Sequence, residues 1–242
     1  MIEKKKIVIT GGSGRFGNII KKKYDKSKFN IFFPTKKNLN ILNLNSIKKY
    51  LKLKKPKYLI HLAGLSRPMY LHDTNIEKSI DLNIIGTANI TKICSQLKIK
   101  LIYVSTSYVY PGNKGNYKET DPIYPINNYA LSKMGGEASV RMYNNSLTIR
   151  ASMTEKPFIH NEAFSDFVTN FIYHEDFVKL LFRVIEKKGI INLGGKSQTV
   201  YDFARSKNIK VKKISAKKFF GLKRKIDIGM NLNKLKKIVK KL

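Results

Sequence analysis

Acidic residues are scarce in this chain: 16 Asp and Glu stand against 48 Lys and Arg, a formal charge of +32 over 242 residues. A balance of that sign usually raises nucleic acid or an anionic membrane as partners. The lysines, however, are spread along the whole chain and mark no single motif, so neither a specific nucleic acid nor a membrane is expected as a partner. Abundant Lys, Asn and Ile points to a bias toward AT-rich codons, which explains part of the excess. A basic surface of this kind draws in polyanionic small molecules. Cysteine is nearly absent as well. The lone Cys94 excludes an intramolecular disulfide and fits a reducing compartment. It lies in an apolar helical pattern (Ile90, Ile93, Cys94, Leu97), as a small core residue would. The four histidines have no metal-ligand spacing and no cysteine partner, so no metal site is expected. No apolar run approaches the ~20 residues a membrane helix needs. The basic start, Lys4-Lys5-Lys6, precedes a strand too short for a signal-peptide core, so a cytoplasmic protein is expected. Internal repeats and low-complexity linkers are also missing.

What remains is the composition of a globular enzyme, 42% hydrophobic and 11% aromatic. Strand-like runs fall at 6–10, 30–33, 58–62, 101–105, 146–150 and 190–193. Helical patterns lie between them at 18–23, 46–53, 76–97, 129–143 and 174–187. Alternation of this type predicts an α/β fold with a parallel, doubly wound sheet of the Rossmann type. The expected division is a dinucleotide-binding domain from residues 1–150 plus about 171–195, and a small C-terminal substrate lobe from about 151–170 and 196–242. The basic amphipathic tail from Lys234 to Leu242 reads as a solvated terminal helix with Leu235, Ile238 and Leu242 packed down.

Two clusters carry chemistry. The first follows the opening apolar run: Gly11, Gly14 and Gly17, with Ser13, Arg15 and Phe16 between them, leading into a helix. Glycines there permit a tight turn and let backbone amides approach a pyrophosphate at the helix amino terminus. The spacing is G-x-x-G-x-x-G, not the commoner G-x-G-x-x-G. The second is Tyr129-Ala-Leu-Ser-Lys133, which puts a phenol and an ammonium one turn apart on one helix face. A positive charge beside a phenol favours the phenolate and readies it for proton exchange. Upstream stands Val104-Ser-Thr-Ser-Tyr-Val-Tyr110.

Together these features resemble the extended short-chain dehydrogenase/reductase family of nucleotide-sugar epimerases, dehydratases and reductases. The nearest likeness is to the dTDP-4-dehydrorhamnose reductase group. The resemblance runs from Lys6 to about Gly195 and is densest between 101 and 137, through Ser105–Tyr110, Gly112, Glu119-Thr-Asp-Pro122, Pro125, Tyr129, Lys133 and Gly136-Glu137. Ser107 and Tyr110 stand where that group usually has Asp and Phe. The resemblance implies catalytic roles for Thr106, which holds the substrate oxygen, for Tyr129, which moves the proton, and for Lys133, which tunes Tyr129 and holds the nicotinamide ribose. It makes Asn83 a supporting residue in an Asn-x-x-Gly-Thr helix, and lays the backbone of Leu62, Ala63 and Gly64 along the cofactor. It also aligns Asn40 and Ile41 with an adenine contact, and Tyr173–Asp176 with a structural His-x-x-Asp element. Thr106, Ser107 and Arg150 become candidate substrate contacts, with an anchoring task for Arg150 equally open.

No acid follows the second strand run, whereas Lys36 and Lys37 do, and Arg15 sits in the glycine loop. Basic residues there accommodate a 2′-phosphate, which favours NADP(H) over NAD(H). The expectation is an NAD(P)H-dependent reductase of a nucleotide-diphosphate-linked 4-keto-6-deoxy sugar. A nucleotide-sugar epimerase that retains NAD is the alternative, and a non-catalytic NAD(P)-binding protein is a third reading. Dehydration is disfavoured because Ser107-Tyr108 replaces the Asp-Glu pair usual in family dehydratases. The family also allows a homodimer through the helix carrying Tyr129.

Overall fold

The computed structural model describes residues 4–206 and 210–240. Its centre is a six-stranded parallel sheet built from β1 (Lys5–Thr10), β2 (Phe29–Phe32), β3 (Tyr58–His61), β4 (Lys100–Thr106), β5 (Ser146–Ala151) and β6 (Gly189–Leu193). The strand order is β6-β5-β4-β3-β1-β2. β1 pairs in parallel with both β2 and β3, with Val8 opposite Phe32 on one side and Leu59 on the other. The chain therefore leaves β1 in one direction and returns on its other side. That creates a topological switch point between the carboxyl ends of β1 and β3, where doubly wound folds bind their ligands.

Central strands of a parallel sheet are covered on both faces, which is why Ile7, Val8, Ile9, Leu59 and Ile60 form unbroken apolar runs and are all fully buried. Each such side chain contributes roughly 1.5–3 kcal/mol. Helices α1 (Arg15–Lys23), α2 (Leu44–Lys54), α3 (Gly86–Gln96), α4 (Asn128–Arg141) and α5 (His174–Val184) complete the crossovers. In α1 the buried stripe is Phe16, Gly17 and Ile20, while Lys21, Lys22 and Lys23 sit in the last turn and complement the helix dipole. Cys94 is fully buried on α3 in a cluster with Ile90, Ile93 and Leu101, and burial pushes its thiol up.

The helix expected over 76–97 is three pieces: Ile76–Ile80, a widened π turn over Asp81–Ile85, and α3. The extra residue in the π turn re-aims Asn83.

Two compact units partition the chain. The first contains residues 1–105, 127–149 and 184–190; the second contains 106–126, 150–183 and 191–242. The stretch 151–170, where the sequence shows no strand-like or helical run, holds short strands at Met153–Thr154, Glu162–Phe164 and Phe167–Thr169. They pair with Ile172–Tyr173, Lys212–Ile214, Gln198–Thr199 and Ile226–Asp227 around an apolar cluster that includes Phe158, Phe167, Phe203 and Ile228. A terminal helix spans Asn233–Lys240, with Leu235 buried and Ile238 half-buried. Leu242 lies outside the described residues. No helix among them is long and apolar enough to cross a membrane.

Candidate active site

The first unit gathers the glycine loop, the end of β3, the π turn and α4. Gly11 has φ of +71°, and a Cβ there would stand 2.6 Å from Ala63 N and 2.8 Å from Leu62 C. Only glycine lets this turn lie against the Leu62–Ala63 backbone. At Gly17 a Cβ would meet Gly12 Cα at 2.6 Å and Gly11 O at 2.7 Å. The loop folds onto the first turn of α1, and Gly14 N donates to Gly11 O at 3.0 Å. No side chain caps α1, and its first turn holds no acid. This backbone cradle of small residues, at a helix amino terminus and at the switch point, suits the pyrophosphate of a dinucleotide. Phe33 packs where a Gly12 Cβ would be, 2.6 Å away, so the segment after β2 adjoins the cradle. Lys36 and Lys37 are exposed on that segment, as are Ser13 and Arg15 on the loop, while Phe16 is buried. Asn40 closes a local turn, its Oδ1 accepting from Leu42 N at 3.1 Å, and Ile41 is buried in the core against Gly86.

Asn83 is the mechanical link. It is 1% exposed. Its Oδ1 accepts from Leu65 N at 2.7 Å, and its Nδ2 donates to Leu65 O at 2.9 Å and to Ser132 Oγ at 2.8 Å. Ser132 Oγ in turn donates to Tyr129 O at 2.7 Å. One amide thus clamps the loop after β3 to the helix that carries Tyr129 and Lys133. Gly64 is obligatory beside it, because a Cβ there would fall 2.6 Å from Asn83 Oδ1.

α4 begins at Asn127, whose Oδ1 accepts from Ala130 N at 2.8 Å. The Tyr129 ring lies 5.2 Å from that of His72, a nearly buried histidine whose Nδ1 meets Ser79 Oγ at 2.7 Å. Lys133 Nζ sits 4.2 Å above the ring of Tyr103. Desolvation pulls the Lys133 ammonium down to about 7, with Glu137, one turn on, opposing the shift. Glu137 is 1% exposed and accepts from Ser105 Oγ at 2.9 Å. Tyr103 Oη donates to Lys133 O at 3.0 Å, and burial, reinforced by Tyr129 and Glu137, holds that phenol well above its ordinary range.

Beneath this group His61 is fully buried. Thr10 Oγ1 accepts from Leu62 N and Ala63 N, leaving its hydrogen for His61 Nδ1 at 2.7 Å. Thr87 Oγ1 spends its own hydrogen on Asn83 O at 2.8 Å, so it accepts from His61 Nε2 at 3.1 Å. This network assigns the Nε2–H tautomer. Burial, then Lys133, drives the imidazole down to about 3, so it is neutral.

In the second unit, Thr106 ends β4 and caps the turn Ser107–Val109, its Oγ1 accepting from Tyr108 N at 3.2 Å. Thr106 and Ser107 are both buried. Arg150, 1% exposed, donates to Tyr110 Oη at 2.9 Å and to Glu119 O at 3.2 Å. Tyr110 Oη donates to Asn192 Oδ1 at 2.7 Å, which gives a task to the hydroxyl that distinguishes it from Phe. Tyr173 closes a short strand, and Glu175 and Asp176 occupy the first turn of α5. His72 and Asn192 carry no readable signal in the sequence. Ser105 and Glu137 stand in the motif run, and His61 heads the strand end before Leu62, but the sequence gives none of the three a task.

A family model described as the RmlD substrate binding domain matches residues 5–188. The chain belongs to that family. Among curated relatives, the methionine adenosyltransferase 2 subunit beta of Xenopus laevis is 26% identical over 155 residues, 61% of this chain and 46% of its own. The dTDP-4-dehydrorhamnose reductase of Aggregatibacter actinomycetemcomitans is 25% identical over 191 residues, covering 78% of this chain and 60% of the relative. The matched part of this RmlD-family chain spans about half the length of the first of these. A solved dTDP-4-dehydrorhamnose reductase from Bacillus anthracis, in complex with NADP, superposes with a TM-score of 0.85 at 21% identity, covering 97% of this chain and 92% of that one. That likeness confirms the doubly wound fold expected from the alternating pattern.

Proposed function

We propose that this RmlD-family protein is an NADP(H)-dependent reductase of a nucleotide-diphosphate-linked 4-keto-6-deoxy sugar, serving deoxysugar precursor synthesis. The observation that carries the reading is the Tyr129–Lys133 pair, one turn apart on α4, with Lys133 desolvated over Tyr103 and beside buried Glu137. A lysine held near 7 exchanges protons at working pH and, as the ammonium, stabilises a tyrosinate. NADPH held in the glycine cradle would supply the hydride for the carbonyl carbon. Tyr129 gives its phenolic proton to the carbonyl oxygen, Thr106 hydrogen-bonds that oxygen, and Lys133 supports the tyrosinate left behind. One hydride and one proton convert the ketone to the alcohol. The glycine cradle is assigned to the pyrophosphate, Lys36, Lys37 and Arg15 to the 2′-phosphate that selects NADP(H), and Arg150 to anchoring Tyr110 and Glu119. NADPH oxidation by purified protein with dTDP-4-keto-6-deoxyhexose tests this, with Tyr129→Phe as the control that abolishes it. Silence across a panel of keto nucleotide sugars refutes it. Retained NAD after purification, with interconversion of two sugar epimers, supports epimerisation instead.

A second reading is favoured by the relatives named as methionine adenosyltransferase subunits: a nucleotide-binding subunit of another enzyme. It predicts NADP binding without turnover, and an assembly that Tyr129→Phe leaves intact.

A further inference from the structure

Between Asp202 and Asp227 the chain carries ten Lys and Arg and no acid. At its heart Lys217-Lys-Phe-Phe-Gly-Leu-Lys-Arg-Lys225 is an unbroken exposed run. Phe219 is 68% exposed, Phe220 52% and Leu222 37%. Among the described residues none of its five cations forms an ion pair.

The run is a built knuckle. The Asp166 carboxylate accepts from Ser215 Oγ at 2.6 Å, Ala216 N at 2.6 Å and Lys217 N at 3.2 Å. Leu222 N donates back to Lys217 O at 2.8 Å. From below, the Phe164 ring meets Phe219 at 5.6 Å and Phe220 at 5.5 Å. The second unit thus spends an acid and an aromatic on holding two further rings out in water, where apolar surface is unfavourable.

Two polyanions fit the charge. Single-stranded nucleic acid binds through bases stacked on open ring faces. Phe219 and Phe220 instead stand edge to face at 4.9 Å and 82°, which closes the gap two successive bases would need, and Leu222 offers no stacking face. A lipid headgroup layer asks for apolar tips ringed by cations, which is the arrangement present. We propose that the Lys217–Lys225 knuckle docks the protein onto an anionic membrane surface. Phe219, Phe220 and Leu222 enter the headgroup layer, and the flanking lysines and Arg224 lie on lipid phosphates. This is surface attachment, independent of any spanning segment and of the reductase reading.

Cosedimentation of the full chain with vesicles tests it, using phosphatidylcholine alone or mixed with phosphatidylglycerol. The protein is expected to pellet with the mixed vesicles, not with phosphatidylcholine. Phe219→Ser with Phe220→Ser should weaken binding roughly tenfold, and Lys223→Glu with Arg224→Glu and Lys225→Glu roughly a hundredfold at low salt. Both variants alter only exposed side chains, so unchanged melting temperatures confirm their folding. Failure to pellet with the mixed vesicles overturns the proposal. Wild-type binding by the double Phe variant does the same, as that outcome means diffuse charge attraction. Tighter binding to oligouridylate than to the mixed vesicles assigns the knuckle to nucleic acid and overturns it too.

Discussion

Asn83→Leu removes the clamp between the loop after β3 and α4 while keeping the same branched count of heavy atoms, so no cavity opens. Three hydrogen bonds disappear, each worth about 1 kcal/mol net. Leu65 is buried, so its N–H and C=O lose their partner without gaining water, which adds about 1 kcal/mol or more for a stranded polar group. The sum is a destabilisation of about 3–5 kcal/mol. For a chain of this size each kcal/mol lowers the melting temperature by about 2–4 °C, so a fall of roughly 6–20 °C is expected. Urea unfolding followed by circular dichroism gives the free energy directly. Ser132→Ala deletes one of the three bonds and should cost about 1 kcal/mol, and the double mutant should cost less than the sum of the singles. A loss below about 1 kcal/mol for Asn83→Leu, or strict additivity with Ser132→Ala, would refute the clamp.

Stability should fall as pH drops from about 6.5 toward 3. His61 binds a proton in the unfolded chain below 6.5 but not in the native one above about 3, a linkage worth roughly 4–5 kcal/mol in full; His61→Gln should flatten that slope in urea titrations between those pH values. Glu137→Gln keeps an acceptor for Ser105 but removes the group that raises Lys133. The alkaline limb of the kcat/KM profile should therefore move to lower pH, and an unmoved limb would show that Glu137 does not tune the lysine. Gly17→Ala forces a methyl against the backbone of Gly11 and Gly12. It should destabilise the protein by about 1–3 kcal/mol and weaken NADPH binding, measured by nucleotide fluorescence, whereas Asn18→Ala at the next position should leave binding near wild type.

The strands were legible where burial leaves no alternation. The run 6–10 announces β1, observed as Lys5–Thr10. The second strand was expected one residue late, at 30–33, because Phe33 looks like ladder but leaves it to pack on Gly12. The π turn was hidden because one added residue does not disturb a 3.6-residue periodicity enough to be seen. In the second unit strands of two or three residues offer no period at all. Tyr129 and Lys133 were legible because their spacing is local. The groups around them, Ser105 with Glu137 and Thr10 with His61 and Thr87, meet across 26 to 51 residues of chain, and no local pattern encodes such meetings.

The threonine-flanked imidazole also ties three elements together. With Nδ1 taking the Thr10 hydrogen and Nε2–H given to Thr87, one neutral ring rivets β1, β3 and α3 under the glycine turn. A charged or smaller side chain at position 61 would loosen all three at once, so damage there would spread through the whole nucleotide-side scaffold.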